Sequence, residues 1–305
     1  MKKNKKLFYA WVSLIVFLTV FIAVVETLYS NSQYQKNSYQ YRILIDKNII
    51  ALSENNDNEK KSVDEKQKKD LDDDLYENSQ YGLLPKISPD GVRVVDVYSS
   101  KPSINSERKK IKVAFVITNQ KYDDRFKNDL SRLGNVKVSF IIPHYLPDIG
   151  VISKAIVDDG HEFFIQMPTQ SSIHTDFKST VSPFLANSSA EDNLLKLRCV
   201  LSSAKYAIGI ANTTHTLFTK SDNDMSVVLK ELSKRGMAYL DIENIQLDLK
   251  DEGPIVFTAK VVKTDGLDLD KLNEGILLVD FNEISRFLDI AHNVIILPVT
   301  YAEKK

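Results

Sequence analysis

The sequence predicts an α/β fold for its largest segment, residues 111–302. In this segment short apolar runs alternate with amphipathic stretches, a pattern typical of strands that alternate with helices. Most of the runs are apolar at nearly every position, which predicts a sheet covered on both faces. These observations fit either an open doubly wound sheet or a (β/α) barrel.

Eight apolar runs are the predicted strands, and amphipathic stretches between them are the predicted helices. The strands are expected at residues 111–117, 136–142, 161–167, 206–211, 237–242, 255–262, 276–279 and 294–299. The helices are expected at residues 148–159, 188–201, 222–235 and 284–291. Ser188 and Glu191 form a predicted capping box, and Gly160 and Gly236 are predicted C-terminal stops.

A basic tail and an apolar span open the chain. Residues 1–6 carry four lysines, and residues 7–25 carry no charge. At about 1.5 Å per residue, a helix of this length crosses the ~30 Å hydrocarbon layer, which predicts a transmembrane helix at residues 7–25. The lysines are expected to stay in the cytoplasm, so we expect a single-pass inner-membrane protein with a periplasmic or extracytoplasmic C-terminal domain. A cleaved signal peptide is the alternative, although residues 23–25 make a poor cleavage site.

Residues 26–110 are predicted to be a charged, mostly disordered linker. About half of residues 53–80 are charged, so this stretch cannot bury enough apolar surface to offset its ordering entropy. Residues 81–106 contain several prolines and are expected to form an extended arm. Residues 92–98 of that arm are a candidate edge strand.

The overall composition argues against several classes of protein. The chain has 40 Lys and Arg against 41 Asp and Glu, which leaves no basic surplus for a nucleic-acid partner. Cys199 is the only cysteine, so an intrachain disulfide and a thiolate zinc cage are both excluded. Neither GxGxxG nor GxxxxGKS/T follows a predicted strand, so no nucleotide site is predicted.

The carboxyl ends of the predicted strands, where active sites of such folds lie, carry mostly neutral polar residues. His215 and His144 each follow a strand and are candidate ligands or acid–base groups, against the simpler interpretation of structural loop histidines. Asp241 ends a strand and suits either catalysis or the orientation of loops by hydrogen bonds. Asp123 and Asp124 fall in the loop after the first predicted strand, where a further helix is expected to open and carboxylates also suit the helix dipole.

Four stretches carry a resemblance to a known family. KVAFVITNQ (residues 112–120) resembles a strand that ends Ile-Asp-Asp-Leu-Gly, and KVSFIIPH (137–144) resembles a Thr-Phe-Ala-x-x-Pro strand. DDGHEFFIQMPTQ (158–170) is similar to Gly-His-Glu-x-x-x-His-x-Pro-Met-Glu, with Gly160-His161-Glu162 as the most specific match. AIGIANTTHTLFT (207–219) with RGMAYLDIEN (235–244) is similar to Gly-Val-x-Asn-His-Met-Gly-Ser-x-x-Thr followed by a strand ending in Asp-Ser.

These patterns belong to the divergent polysaccharide deacetylase family, which residues 112–300 resemble. The resemblance implies an irregular seven-stranded (β/α) barrel, a role in carbohydrate metabolism and a metal-dependent deacetylase site. The family's functional positions fall on Thr118, Asn119, Gln166, Thr213 and Asp241. Only Asp241 keeps the family's residue type, and His215 and His144 are displaced candidates.

The substituted residues predict that metal-dependent hydrolysis has been lost. Hydroxyl and carboxamide groups are neutral, bind zinc poorly and cannot accept a proton as a carboxylate or imidazole can. We therefore expect no cofactor, with zinc only at a rebuilt site, and a pseudoenzyme that binds a glycan or a protein of the cell envelope. The alternatives are an active deacetylase rebuilt from His144, His215, Asp241 and the loop of Asp123 and Asp124, or a structural envelope protein.

Overall fold

The computed structural model describes a folded domain together with a segment that precedes it. The described residues are 73–102, 104, 107–118, 120–169, 183–186, 188–214, 216–242, 253–261, 266–269 and 275–302. In this part of the chain no helix is both long and apolar enough to cross a membrane. The predicted span at residues 7–25 lies outside the described residues.

The described secondary structure alternates strands and helices as predicted. The strands are β1 (Tyr76–Ser79), β2 (Gly82–Pro85), β3 (Lys110–Val116), β4 (Ser139–Pro143), β5 (Glu162–Gln166), β6 (Gly209–Ala211), β7 (Ala238–Asp241), β8 (Val256–Val261), β9 (Ile276–Asp280) and β10 (Ile295–Leu297). The helices are α1 (Val94–Tyr98), α2 (Asp124–Ser131), α3 (Ile149–Asp158), α4 (Ala190–Leu201), α5 (Asp222–Lys234) and α6 (Ile284–Ile290), with a 3-10 turn at Phe281–Glu283.

Seven parallel strands of the described chain close into a barrel. The strand order is β3-β4-β5-β6-β7-β8-β9, and β9 pairs back with β3 from Lys112↔Ile276 to Val116↔Asp280. Strand β10 pairs with the first residues of β3, at the amino end of the barrel. The barrel, one of the two architectures that the alternation pattern allows, is therefore the correct one, and it agrees with the seven strands that the resemblance implies.

Alternate residues of the barrel strands face two separate apolar clusters. Phe140 and Ile142 of β4 pack in the outer cluster between the strands and the helices, whereas Ile141 lies in the cluster inside the barrel. The inner cluster contains several alanines, and a Cβ on Gly209 of β6 would lie 2.2 Å from the Ala238 carbonyl oxygen. Small residues therefore allow neighbouring strands of a narrow barrel to approach closely.

Local signals position the helices, with two corrections. Gly160 and Gly236 have left-handed φ values of 77° and 65°, and they follow α3 and α5 as predicted.

 A Cβ on Gly236 would lie 2.8 Å from the Cβ of Arg93, so this position has no room for a side chain. The N-cap of α4 is Ser189 rather than the predicted Ser188, because the Ser189 hydroxyl accepts the Asp192 N–H. The strand predicted from residue 206 begins only at Gly209, because Tyr206 has a φ of 74°, which a strand residue does not adopt.

Residues 73–102 correct the predicted linker. Strands β1 and β2 form a hairpin, and residues 94–98, predicted as an edge strand, form helix α1 instead. The Asp96 carboxylate accepts the Arg93 N–H at 3.3 Å, which favours a helix start over an extended strand. Leu75, Leu84 and Val94 join the outer cluster, so ordered structure begins well before the predicted boundary at residue 111.

Candidate functional site

Two of the predicted site residues meet at the carboxyl ends of β5 and β6. Strand pairing places Gln166 beside Ala211, two residues before Thr213. The Gln166 Nε2 group donates a hydrogen bond to Thr213 Oγ1 at 2.7 Å. The two positions that the resemblance assigns to metal-binding histidines are therefore adjacent in space, and their side chains bind each other.

Further neutral hydrogen bonds join the loops that follow these two strands. The hydroxyls of Thr169 and Thr214 lie 3.0 Å apart, and the Thr214 N–H donates to Asn212 Oδ1 at 3.1 Å. We call Gln166, Thr169, Asn212, Thr213 and Thr214 the neutral cluster. Its hydroxyl and amide groups can donate and accept hydrogen bonds but carry no charge.

Asp241 is fully buried at the end of β7. Its Oδ1 atom lies 3.5 Å from Asn212 Nδ2 and 3.4 Å from the Tyr239 hydroxyl, both long for hydrogen bonds. Tyr239 belongs to the outer cluster, and residues two apart on a strand share a face. This geometry favours the orienting role that the sequence left open for Asp241.

Asn212 and Tyr239 were not singled out by the sequence reasoning. Tyr239 carries a usable signal, because its spacing of two from Asp241 places both side chains on one face of a strand. Asn212 also carries a signal in the sequence, because it directly follows a predicted strand and matches the asparagine of the family pattern. The partner of each group across the sheet, however, depends on strand pairing, which the sequence does not specify.

His144 directly follows β4 and is buried against Tyr145, with the two ring centroids 5.5 Å apart. Burial lowers the pKa of His144 to about 4. The imidazole is therefore neutral at pH 7 and suits a hydrogen-bonding role better than that of a general acid or base, whose pKa should lie near the operating pH.

Of the remaining predicted residues, three lie in the described part of the chain and two lie outside it. Thr118 is half-buried after β3, and its N–H donates to Gln120 Oε1 at 2.9 Å. Asp123 is the N-cap of α2 and accepts the Phe126 N–H at 2.9 Å, while Asp124 is exposed in the first turn. Asn119 and His215 lie outside the described residues.

The neutral cluster does not fit a zinc ion. Zinc sites in proteins use thiolate, imidazole or carboxylate ligands, whereas Gln166 and Thr213 offer an amide and a hydroxyl already bound to each other. Within the described ranges no group of three or more His, Cys, Asp and Glu side chains is arranged to hold a metal ion.

The string Gly160-His161-Glu162 lies at the opposite end of the barrel. Glu162 is the first residue of β5, so the string precedes the strand whose last residue is Gln166. His161 is buried, and its Nδ1 accepts the Val138 N–H at 3.3 Å. The structural role expected for a histidine at the amino end of a strand is thus consistent with its contacts.

The fold and the site together define a (β/α) barrel with a neutral polar cluster at the carboxyl ends of its strands. Residues 122–246 match the model of the family described as divergent polysaccharide deacetylase. The resemblance found in the sequence is therefore confirmed over these residues. No curated protein matches the sequence.

Solved structures with a similar fold include the uncharacterized protein ATU2773 from Agrobacterium tumefaciens C58. It has 17% identity and a TM-score of 0.56, and the match covers 72% of this chain and 98% of that one. At this identity the likeness concerns the fold alone.

Two deacetylase structures match less closely. For the catalytic domain of peptidoglycan N-acetylglucosamine deacetylase from Eubacterium rectale ATCC 33656, the TM-score is 0.39 at 15% identity, over 67% of this chain and 94% of that one. For the Bdellovibrio bacteriovorus peptidoglycan deacetylase Bd3279, the TM-score is 0.35 at 12% identity, and the match covers 69% of this chain and 58% of that one.

Proposed function

We propose that this protein is a membrane-anchored component of the bacterial envelope whose deacetylase-type barrel binds a glycan or a protein without metal-dependent hydrolysis. The direct hydrogen bond between Gln166 and Thr213 is the observation that carries this proposal. It joins the two positions where the family resemblance places metal-binding histidines, and neither side chain is a zinc ligand or a general base at neutral pH.

The neutral cluster supports binding by hydrogen bonds. All five of its side chains lie at or just after the carboxyl ends of two adjacent strands, where ligands of such folds bind. Amides and hydroxyls complement the hydroxyl groups of a sugar or the backbone of a peptide, because each can act as donor and acceptor. The anchor at residues 7–25 and the extracytoplasmic location rest on the charge pattern of the sequence.

Metal analysis of the purified full-length protein separates this function from an active hydrolase with a rebuilt site. We expect no stoichiometric zinc in the native protein, whereas the double variant Gln166→His, Thr213→His should gain zinc binding because two adjacent imidazoles replace neutral groups. Gln166→Asn, Thr213→Ser is the matched control and should gain none. About one equivalent of zinc in the native protein, lost in His215→Ala, would contradict the proposal.

Thermal-shift measurements separate a binding module from a structural envelope protein. A glycan fragment or envelope protein that binds the native state raises the melting temperature, and the rise grows with the ratio of ligand concentration to Kd. We expect Thr214→Val to reduce that shift, because it removes a hydroxyl of the neutral cluster while keeping the side-chain volume. A shift that is unchanged in Thr214→Val would place binding elsewhere on the molecule.

A further inference from the structure

The amino end of the barrel contains a buried carboxylate with no part in the proposed function. Glu162 is fully buried at the start of β5 and faces the interior, two residues before Phe164 of the inner cluster. Its carboxylate accepts four hydrogen bonds, from Ser139 Oγ (2.5 Å), Ser100 N–H (2.8 Å), Thr300 N–H (3.2 Å) and Thr300 Oγ1 (2.5 Å). We call these four residues the latch.

The latch joins parts of the chain that are far apart in sequence. Ser139 begins β4, Thr300 follows β10, and Ser100 follows α1. Ser100 also donates its hydroxyl to the Gly160 carbonyl oxygen at 2.6 Å. The Gly160-His161-Glu162 string is thus the part of the barrel to which the preceding segment is attached.

The preceding segment, residues 73–102, has its own secondary structure and adds no strand to the barrel. Its hairpin is a separate two-stranded sheet, and helix α1 inserts Val95 into the inner cluster. Arg235, the C-cap residue of α5, holds the hairpin by donating to Glu77 Oε1 at 3.0 Å and to the Pro85 carbonyl oxygen at 2.8 Å. Every strand pair of the barrel would remain intact if this segment moved away.

We propose that residues 73–102 form a strap that can leave the barrel as one unit, and that Glu162 is the positioning residue that keeps it docked. Departure of the strap would remove the Ser100 N–H from a buried carboxylate and would uncover the buried side chains of Val94 and Val95 at the same time. The donors on Ser139 and Thr300 stay in the barrel, so the strap loses all of its own contacts in one step and its docking is close to all-or-none. Release would also add on the order of 100 Å of reach between residue 72 and the barrel, at about 3.3 Å per extended residue.

Glu162→Gln is a sharp test of the latch. Each carboxylate oxygen of Glu162 accepts one backbone N–H, from Ser100 or from Thr300. A glutamine amide group would face one of these N–H donors in either orientation, because an NH₂ group cannot accept a hydrogen bond. Either orientation displaces the side chain at position 162 from the geometry that holds Ser100, so the variant disfavours the docked strap.

Hydrogen exchange measured by mass spectrometry on the full-length protein in detergent tests the proposal. In Glu162→Gln, amides of residues 73–102 should exchange about 5- to 30-fold faster, with strands β3 to β9 unchanged. Glu191→Gln, on the exposed first turn of α4, is the matched control and should leave the strap unchanged.

A second variant keeps the test decisive if Glu162→Gln does not fold. Thr300→Val removes one latch hydroxyl at constant volume and should accelerate exchange in the strap by a smaller factor. Equal acceleration in the strap and the barrel strands, or none in the strap, would overturn the proposal. Neither result depends on the ligand or the membrane anchor, so the strap and the proposed function fail separately.

Discussion

At the residue scale, burial decides what the titratable groups of this protein can do. Burial raises the pKa of the Glu162 carboxyl, against four hydrogen bonds that lower it. Burial lowers the pKa of His144 and of His161, in each case to about 4. These opposite directions follow from one cause, because a medium of low polarity disfavours the charged form of an acid and of a base alike.

His144 should make the stability of the protein depend on pH. Its pKa is near 6.5 when unfolded and about 4 when folded, so its contribution is present above pH 6.5 and is lost as pH falls towards 4. The loss amounts to about 3 kcal/mol at 1.36 kcal/mol per pH unit. Chemical unfolding at pH 7 and pH 4.5 should show a smaller loss in His144→Phe than in the native protein.

The control for this measurement is His292→Gln, which changes an exposed histidine on the turn after α6. It should keep the native dependence on pH, because it leaves the buried ring of His144 in place. His161 remains in both variants and retains its own contribution. An unchanged pH dependence in His144→Phe would show that His144 is not a buried neutral imidazole.

At the scale of elements, capping residues and glycines set the boundaries of the helices. Ser189, Ser221 and Asp123 each accept a backbone N–H at the start of a helix, from Asp192, Asp224 and Phe126. The loop before α2, considered for a rebuilt catalytic site, thus contains a carboxylate that already has a structural role.

Asp123→Ala should destabilise the protein by about 1 kcal/mol through loss of the α2 cap, and Asp123→Asn should restore most of that stability. Both should leave ligand binding unchanged, because the cap lies outside the neutral cluster. Urea unfolding and thermal shift with the bound glycan or protein measure the two effects. Loss of binding in both variants at unchanged stability would instead assign Asp123 to the site.

At the scale of the whole molecule, the segment before the barrel is part of the folded domain. Val95 lies in the cluster inside the barrel and is 5% exposed, although the sequence predicted a mostly disordered linker there. The high charge of residues 53–80 does not extend over residues 81–102, where apolar side chains are frequent enough to dock on a larger core.

Val95→Ala should therefore lower the free energy of unfolding by about 2 kcal/mol, because it leaves a cavity at the amino end of the barrel. Val63→Ala, in the charged stretch predicted to be disordered, is the control and should have no effect. Denaturant titration of the full-length protein measures both. Equal stability of the two variants would instead support the prediction that residues 73–102 belong to a disordered linker.

The sequence by itself determined the α/β class, most helix ends and the neutral character of Thr118, Gln166 and Thr213 at the strand ends, because periodicity, caps and residue types are readable over a few residues. Only the tertiary structure decided that β9 pairs with β3, that Gln166 binds Thr213, and that Ser100 docks on Glu162. These contacts join residues far apart in the chain, so they depend on the closure of the whole barrel and on burial summed over many side chains, which no short window of sequence contains.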